Sequence, residues 1–201
     1  MIAIINYGMG NLRSVQKAFE QAGEDAEIVD NPADLEKATK LILPGVGAFP
    51  KGMQNLHERG LVEVMNKKVL EEKTPILGIC LGMQLLGSFS LEHEKTPGLG
   101  YLDMEIRFLE EAISERVPHV GWNDIEFKDC DLLKGLQPNP SFYFVHSLYA
   151  VPTDPDIEIG TAHYGVNICS VVKKDNIYAT QFHPEKSQKS GMQIIRNFCA
   201  I

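Results

Sequence analysis

The sequence predicts an α/β fold, a doubly wound and mostly parallel central sheet with an antiparallel extension in its second half. Three observations predict it. Up to residue 90, short apolar runs alternate with amphipathic stretches of helical length, the pattern of parallel β-α-β units. From Gly98 to Gln181, runs with period-two alternation take over, with turn signals such as Lys173-Lys174-Asp175-Asn176 between them. No linker, repeat or low-complexity segment separates the halves, so residues 1–201 are expected to form one domain.

The elements follow in order. Ile2-Ala3-Ile4-Ile5 reads as a buried first strand, Tyr7-Gly8-Met9-Gly10-Asn11 as a loop, and Leu12 to Gln21 as an amphipathic helix closed by Gly23. Gly8-x-Gly10 starts like a dinucleotide fingerprint, but Arg13 stands where the third glycine belongs, so a contact loop is the better reading. Ala26–Val29 is a second strand. Asn31-Pro32 supplies an N-cap and a first-turn proline for a helix through Ala38. Lys40–Leu43 is a third strand, ending in Pro44-Gly45-Val46-Gly47, where glycines permit close backbone approach and free N–H groups can meet an anion. Helical segments over 49–59 and 61–72 lead into Thr74-Pro75-Ile76-Leu77, one buried strand.

The antiparallel extension is expected from Met104–Phe108, Ile125–Phe127, Phe142–Val145, Ile157–Ile159, Ser170–Val172 and Ile177–Thr180. Ser187 to Ala200 closes the chain as a helix with Ile194, Ile195 and Phe198 on one face.

Composition excludes several function classes. A formal charge of -8 with no basic stripe argues against nucleic acid as a partner. Cysteines at 80, 130, 169 and 199 contain no Cys-x-x-Cys pair, so neither a zinc ribbon nor a redox dithiol is indicated, and reduced thiols in a cytoplasmic protein are expected. The apolar start ends at Asn6, too short for a signal peptide, and glycines and serines interrupt the apolar window from Pro75 to Leu91. Neither a metal, a cofactor nor a membrane contact is expected.

The chemistry centres on Gly78-Ile79-Cys80-Leu81-Gly82-Met83-Gln84. Strand, Gly-x-Cys-x-Gly and helix form the layout of a nucleophile elbow, in which a strained turn lifts the middle side chain above the sheet edge. The glycines are needed because a Cβ at either flank would meet a neighbouring strand or helix. A thiol suits this place, since the thiolate is the nucleophile and a helix N-terminus favours an anion. These residues alone fit a small buried cysteine in a glycine-rich turn equally well.

Cys80 needs a base, and His183 stands out among six histidines because of Gln181-Phe182-His183-Pro184-Glu185. In an extended segment, residues two apart project to the same side, so Glu185 can orient the His183 ring and leave its other nitrogen for the thiol. Thiol, imidazole and carboxylate form a triad suited to acyl transfer. A surface His–Glu pair is the bland alternative.

The elbow together with Phe182-His183-Pro184-Glu185 resembles class I, triad-type glutamine amidotransferases. Asn6-Tyr7-Gly8-Met9-Gly10-Asn11-Leu12, Pro44-Gly45-Val46-Gly47, Pro118-His119-Val120-Gly121-Trp122-Asn123, Tyr143-Phe144-Val145-His146-Ser147 and His183-Pro184-Glu185-Lys186-Ser187 narrow the likeness to the family of glutaminase subunits of imidazole glycerol phosphate synthase. Asn6 departs from it, since many relatives carry Asp there. The resemblance implies a flavodoxin-like class I glutaminase fold and hydrolysis of L-glutamine to glutamate and ammonia by Cys80, His183 and Glu185. It implies that the ammonia passes to a cyclase subunit in a heterodimer, during histidine synthesis. It also implies oxyanion donors at Val46, Gly47 and Leu81, and glutamine contacts at Gln84, Ser147, Leu148 and Tyr149. Partner contacts are implied at Asn11, Trp122, Tyr143 and Lys186.

Overall fold

A computed structural model describes residues 1–201. Strands β1 (Ile2–Ile5), β2 (Ala26–Val29), β3 (Lys40–Gly45) and β4 (Ile76–Cys80) alternate with helices α1 (Leu12–Gln21), α2 (Pro32–Leu35), α3 (Phe49–Glu58) and α4 (Leu61–Asn66). Helix α5 (Leu81–Leu85) follows β4 directly, and short strands β5 (Phe89–Ser90) and β6 (Thr96–Pro97) come next. The second half holds β7 (Met104–Phe108), β8 (His119–Phe127), β9 (Ser141–His146), β10 (Leu148–Pro152), β11 (Glu158–Tyr164), β12 (Val166–Lys174) and β13 (Ile177–Thr180), and α6 (Gln188–Ala200) ends the chain.

The main sheet has nine strands in the order β2-β1-β3-β4-β13-β12-β11-β8-β9. Its first five strands run parallel and the rest pair antiparallel, as the change in sequence pattern predicts. Period-two alternation sends Ala3 and Ile5 into the core on one face and Ile2 and Ile4 into the core on the other. Both faces are covered, which is why the parallel strands read as unbroken apolar runs.

Three expectations need correction. Met104–Phe108 does not join the main sheet; it lies in a separate four-stranded sheet, ordered β10-β7-β5-β6. Its apolar residues Met104 and Ile106 pack into the same core as Leu85 and Leu86, so burial alone cannot tell the two sheets apart. The helix at Asn31-Pro32 stops at Leu35, well short of Ala38, though Asn31 does cap it by accepting from Asp34 N at 3.0 Å. The 61–72 segment is not one α-helix, because α4 gives way to a π-helical stretch at Lys67–Glu71.

The site follows from one edge of this sheet. β3 and β4 are parallel neighbours with Gly45 beside Cys80, and β13 lies on the other side of β4 with Thr180 beside Ile79. Three adjacent parallel strands therefore end together, and the segments that follow them, Gly45–Gly47, Cys80–Leu81 and Gln181–Glu185, share one carboxyl-end crevice.

Candidate active site

Cys80 sits at the β4–α5 junction with φ 55° and ψ -109°, a conformation that L-residues rarely hold. Two glycines make the turn possible. A Cβ at Gly82 would overlap the carbonyl of Leu43, and one at Gly78 would lie 2.8 Å from Leu86 Cδ1 and 2.9 Å from Met83 N. The thiol itself is lightly held. Its sulfur lies 3.8 Å from both the Val145 carbonyl oxygen and the Gln181 side-chain amide.

His183 Nδ1 bonds Glu185 Oε1 at 2.8 Å, and both side chains are buried. The expected extended path from 183 to 185 is not what joins them. His183 is extended, but Pro184–Lys186 is a 3₁₀ turn, and the turn brings the carboxylate back onto the ring. Further contacts anchor this turn. Ser187 Oγ donates to the His183 carbonyl at 2.6 Å and accepts from Tyr143 N at 3.0 Å, while His183 N donates to the Tyr143 carbonyl at 3.0 Å. A Cβ at Gly191 would overlap the Pro184 carbonyl, so a glycine there lets α6 pack against the turn.

With Nδ1 donating to the carboxylate, Nε2 is the nitrogen left for the thiol, and it makes no hydrogen bond in the resting structure. Burial works against a charged ring, but the interactions with neighbouring Cys80 and the Glu185 carboxylate outweigh it, and the His183 pKa is pushed up to about 9. A histidine whose folded pKa exceeds its ordinary 6.5 contributes stability that is fully present below that value and lost as pH rises through about 9. Urea unfolding is therefore expected to show falling stability between these two pH values, and His183→Gln to flatten that fall. An unchanged slope in the variant would mean the ring carries no such coupling.

Beside Cys80 lies a cavity of about 310 Å³ lined by Val46, Gly47, Cys80, Leu81, Gln84, Glu92, Pro118, Val145, His146, Ser147 and Leu148. Of the candidates named from sequence, Val46, Gly47, Leu81, Gln84, Ser147 and Leu148 line it, and Tyr149 does not. Gly47 holds φ +109°, and Leu81 N is the first N–H of a helix, which has no acceptor inside that helix. Gln84 is already engaged, since its amide nitrogen donates to Leu148 O at 3.2 Å and Gln181 Oε1 at 3.1 Å. It shapes the pocket wall through those bonds.

Sequence reasoning missed Glu92, the one charged side chain lining this cavity. Its carboxylate accepts from Phe49 N at 2.6 Å, at the start of α3. It lies in a loop without periodicity, and its partner is distant in sequence, so no local signal marks it.

His119 and His146 form a file of hydrogen bonds leading away from the pocket. His146 Nδ1 lies 2.8 Å from Leu148 O, His146 Nε2 lies 2.9 Å from His119 Nδ1, and His119 Nε2 lies 3.3 Å from Asn123 Nδ2. A carbonyl oxygen only accepts, so His146 carries its proton on Nδ1, His119 donates to Nε2, and Asn123 donates to His119. Both rings stay neutral. Burial lowers the His119 pKa to about 4, and burial with help from nearby histidines lowers His146 to about 3.

The opposite face of β8 carries an exposed aromatic patch. Val120 and Trp122 are 54% and 50% exposed, so Trp122 is not a core residue. Tyr143 lies edge-on to Trp122 with ring centres 6.2 Å apart, and Lys186 Nζ sits 5.8 Å from the Tyr143 ring centre. Asn11 is exposed and caps α1, accepting from Ser14 N at 3.3 Å. Asn6 Oδ1 accepts from Gly8 N at 3.1 Å, a bond that needs no charge.

Residues 3–201 match the family described as glutamine amidotransferase class-I. The chain is 45% identical over 202 residues to the imidazole glycerol phosphate synthase subunit HisH 2 of Pseudomonas aeruginosa, covering 100% of both chains. It is 48% identical over 199 residues to the corresponding HisH 2 subunit of Methanococcus maripaludis, covering 98% of each. Among solved structures, a crystal structure of a glutamine amidotransferase superposes with a TM-score of 0.74 at 22% identity, over 100% of this chain and 98% of the other. The structure of PurLQS from Thermotoga maritima also gives a TM-score of 0.74, at 18% identity, over 99% of this chain and 97% of the other. These two likenesses concern the fold.

Proposed function

This chain belongs to the class-I glutamine amidotransferases, among the HisH subunits of imidazole glycerol phosphate synthase, and from that membership we propose a mechanism in which Cys80, His183 and Glu185 carry out its glutaminase reaction. The observation that carries the proposal is the thiol at a strained elbow, beside a buried imidazole oriented by a carboxylate, at the wall of a substrate-sized cavity.

L-Glutamine enters with its side-chain amide over Cys80. Glu92 is placed to receive the substrate's α-ammonium, since it supplies the cavity's only charged wall. The thiolate attacks the amide carbon. The developing oxyanion is met by Leu81 N–H and by an N–H of the Gly45–Gly47 loop, where each donor is typically worth about 3 kcal/mol of barrier. His183, protonated and held by Glu185, delivers its proton to the departing nitrogen so that ammonia leaves and a thioester remains. Neutral His183 then activates water, the thioester is hydrolysed, and glutamate departs. Ser147, Leu148 and Tyr149 bound the substrate's far end, the first two from the cavity lining itself.

Ammonia goes to a cyclase subunit, which forms imidazole glycerol phosphate in histidine synthesis. Free in water it would be protonated and cease to be a nucleophile, so transfer across a sealed interface has a physical purpose. The patch of Val120, Trp122, Tyr143 and Lys186 has the exposed aromatic character of an interface anchor, and Asn11 joins it in the proposed contact. The Gly45-Val46-Gly47 peptide acts as the switch, with Val46 N–H turned toward the oxyanion only in the activated complex. No helix is long and apolar enough to cross a membrane, and we assign the reaction to the cytoplasm.

The test is ammonia release from glutamine by the purified chain, alone and with the cyclase partner plus its nucleotide ligand. Release that rises at least tenfold in the complex is expected. Equal release in both states would remove the partner-dependent switch, and none in either would remove the glutaminase reading.

A further inference from the structure

Tyr7 is fully buried, and its hydroxyl has no hydrogen-bond partner. A phenylalanine would pack the same ring without that cost, because a buried hydroxyl left unpaired loses its hydration and gains nothing in return. The ring sits in the core with Leu43, Phe49 and Leu81, and its Oη is pressed against Gly45. A Cβ at Gly45 would overlap that oxygen and would lie 3.0 Å from Leu81 Cβ. Gly10 packs on the Gly45 Cα from the neighbouring loop. Thus an orphaned donor touches the last residue of β3, where the oxyanion loop begins, one strand away from Cys80.

The backbone at this contact is free to turn. Gly45 has no Cβ to restrict its ψ, and Val46 N–H takes no part in the backbone hydrogen bonds of the loops. Rotating the Gly45–Val46 peptide by half a turn exchanges the directions of the Gly45 C=O and the Val46 N–H. When the N–H swings to the oxyanion side, the carbonyl oxygen swings to the opposite side and must find a donor there or go without.

We propose that Tyr7 is a positioning residue for the oxyanion loop: its hydroxyl donates to the Gly45 carbonyl once the Gly45–Val46 peptide has turned to aim Val46 N–H at the oxyanion. The hydroxyl is unpaired at rest and paired in the working state, so it favours the working state. This rests on the reading of Cys80 as nucleophile and of the loop as its switch. Tyr7 touches neither substrate nor reacting atoms.

The test is Tyr7→Phe in the full chain, assayed for glutamine hydrolysis alone and in the activated cyclase complex, with thermal unfolding in parallel. The expected result is an activated kcat about tenfold lower, one hydrogen bond's worth, with KM for glutamine unchanged. The unfolding midpoint should be unchanged or higher, because the resting hydroxyl bonds nothing. An activated kcat equal to that of the unaltered chain would overturn the proposal. So would a lower midpoint with kcat retained, which would mark a hydroxyl bridged by buried water in a purely structural role. If the unaltered complex releases no ammonia, the glutaminase reading itself falls and takes this proposal with it.

Discussion

Replacing Cys80 by alanine is expected to lower glutamine hydrolysis by about 10⁴-fold or more, since removing the nucleophile of a triad disables the whole unit. The fold should survive. Alanine keeps the Cβ that already occupies φ 55°, and the sulfur's hydrogen bonds to Val145 O and Gln181 Nε2 are weak ones of 3.8 Å. The variant should therefore unfold within about 1 kcal/mol of the parent, while losing essentially all turnover. Activity and urea unfolding measured on the same preparation separate the two effects. Cys80→Ser sharpens the result, because a hydroxyl placed at the same point is a far poorer nucleophile without a stronger base. Substantial ammonia release from the alanine variant would show that bond cleavage happens elsewhere.

Gly82→Ala is expected to be the most damaging single methyl group in the chain. The added Cβ would run into the Leu43 carbonyl, a backbone atom of β3 that cannot swing aside as a side chain can. To admit it, α5 must lift away from the sheet, and with it the Leu81 N–H and the elbow. A cost of about 3 kcal/mol or more is expected, or roughly 6–12 °C in Tm for a chain of this size. Gly60→Ala is the matching control. Gly60 holds φ +65°, but a Cβ there meets nothing closer than Pro32 Cγ at 3.8 Å. Only backbone strain is then felt, about 1 kcal/mol. If the two variants unfold alike, close packing of the elbow on β3 is not what requires Gly82.

The two variants probe different properties of one turn. In the proposed mechanism Cys80 is chemically decisive and structurally cheap, whereas Gly82 is chemically mute and structurally decisive. The strain at Cys80 persists because Gly78 and Gly82 let the strand and helix close around it. Likewise, the turn that carries His183 is tied to β9 by three hydrogen bonds, two of them made by Ser187 Oγ and the third from His183 N to the Tyr143 carbonyl.

Short-range information was enough for much of this protein. The first four strands, the elbow, the hairpin at Lys173–Asn176 and the closing helix all show in periodicity and turn residues, because each is specified by neighbours a few positions apart. The contact of His183 with Glu185 was legible too, since a strand end with unusual residues stands out in the chain. What only the tertiary structure decided depends on long-range contact. Met104–Phe108 carries the alternation of a strand, but alternation says nothing about which sheet a strand joins, and β5 and β6 are too short to show a period at all. Glu92 reaches the cavity through a bond to Phe49, and Tyr7 meets Gly45 without a hydrogen-bond partner, because the sheet brings distant loops to one edge. A linear pattern records what each residue prefers, and only the packed sheet determines which preferences are left unmet.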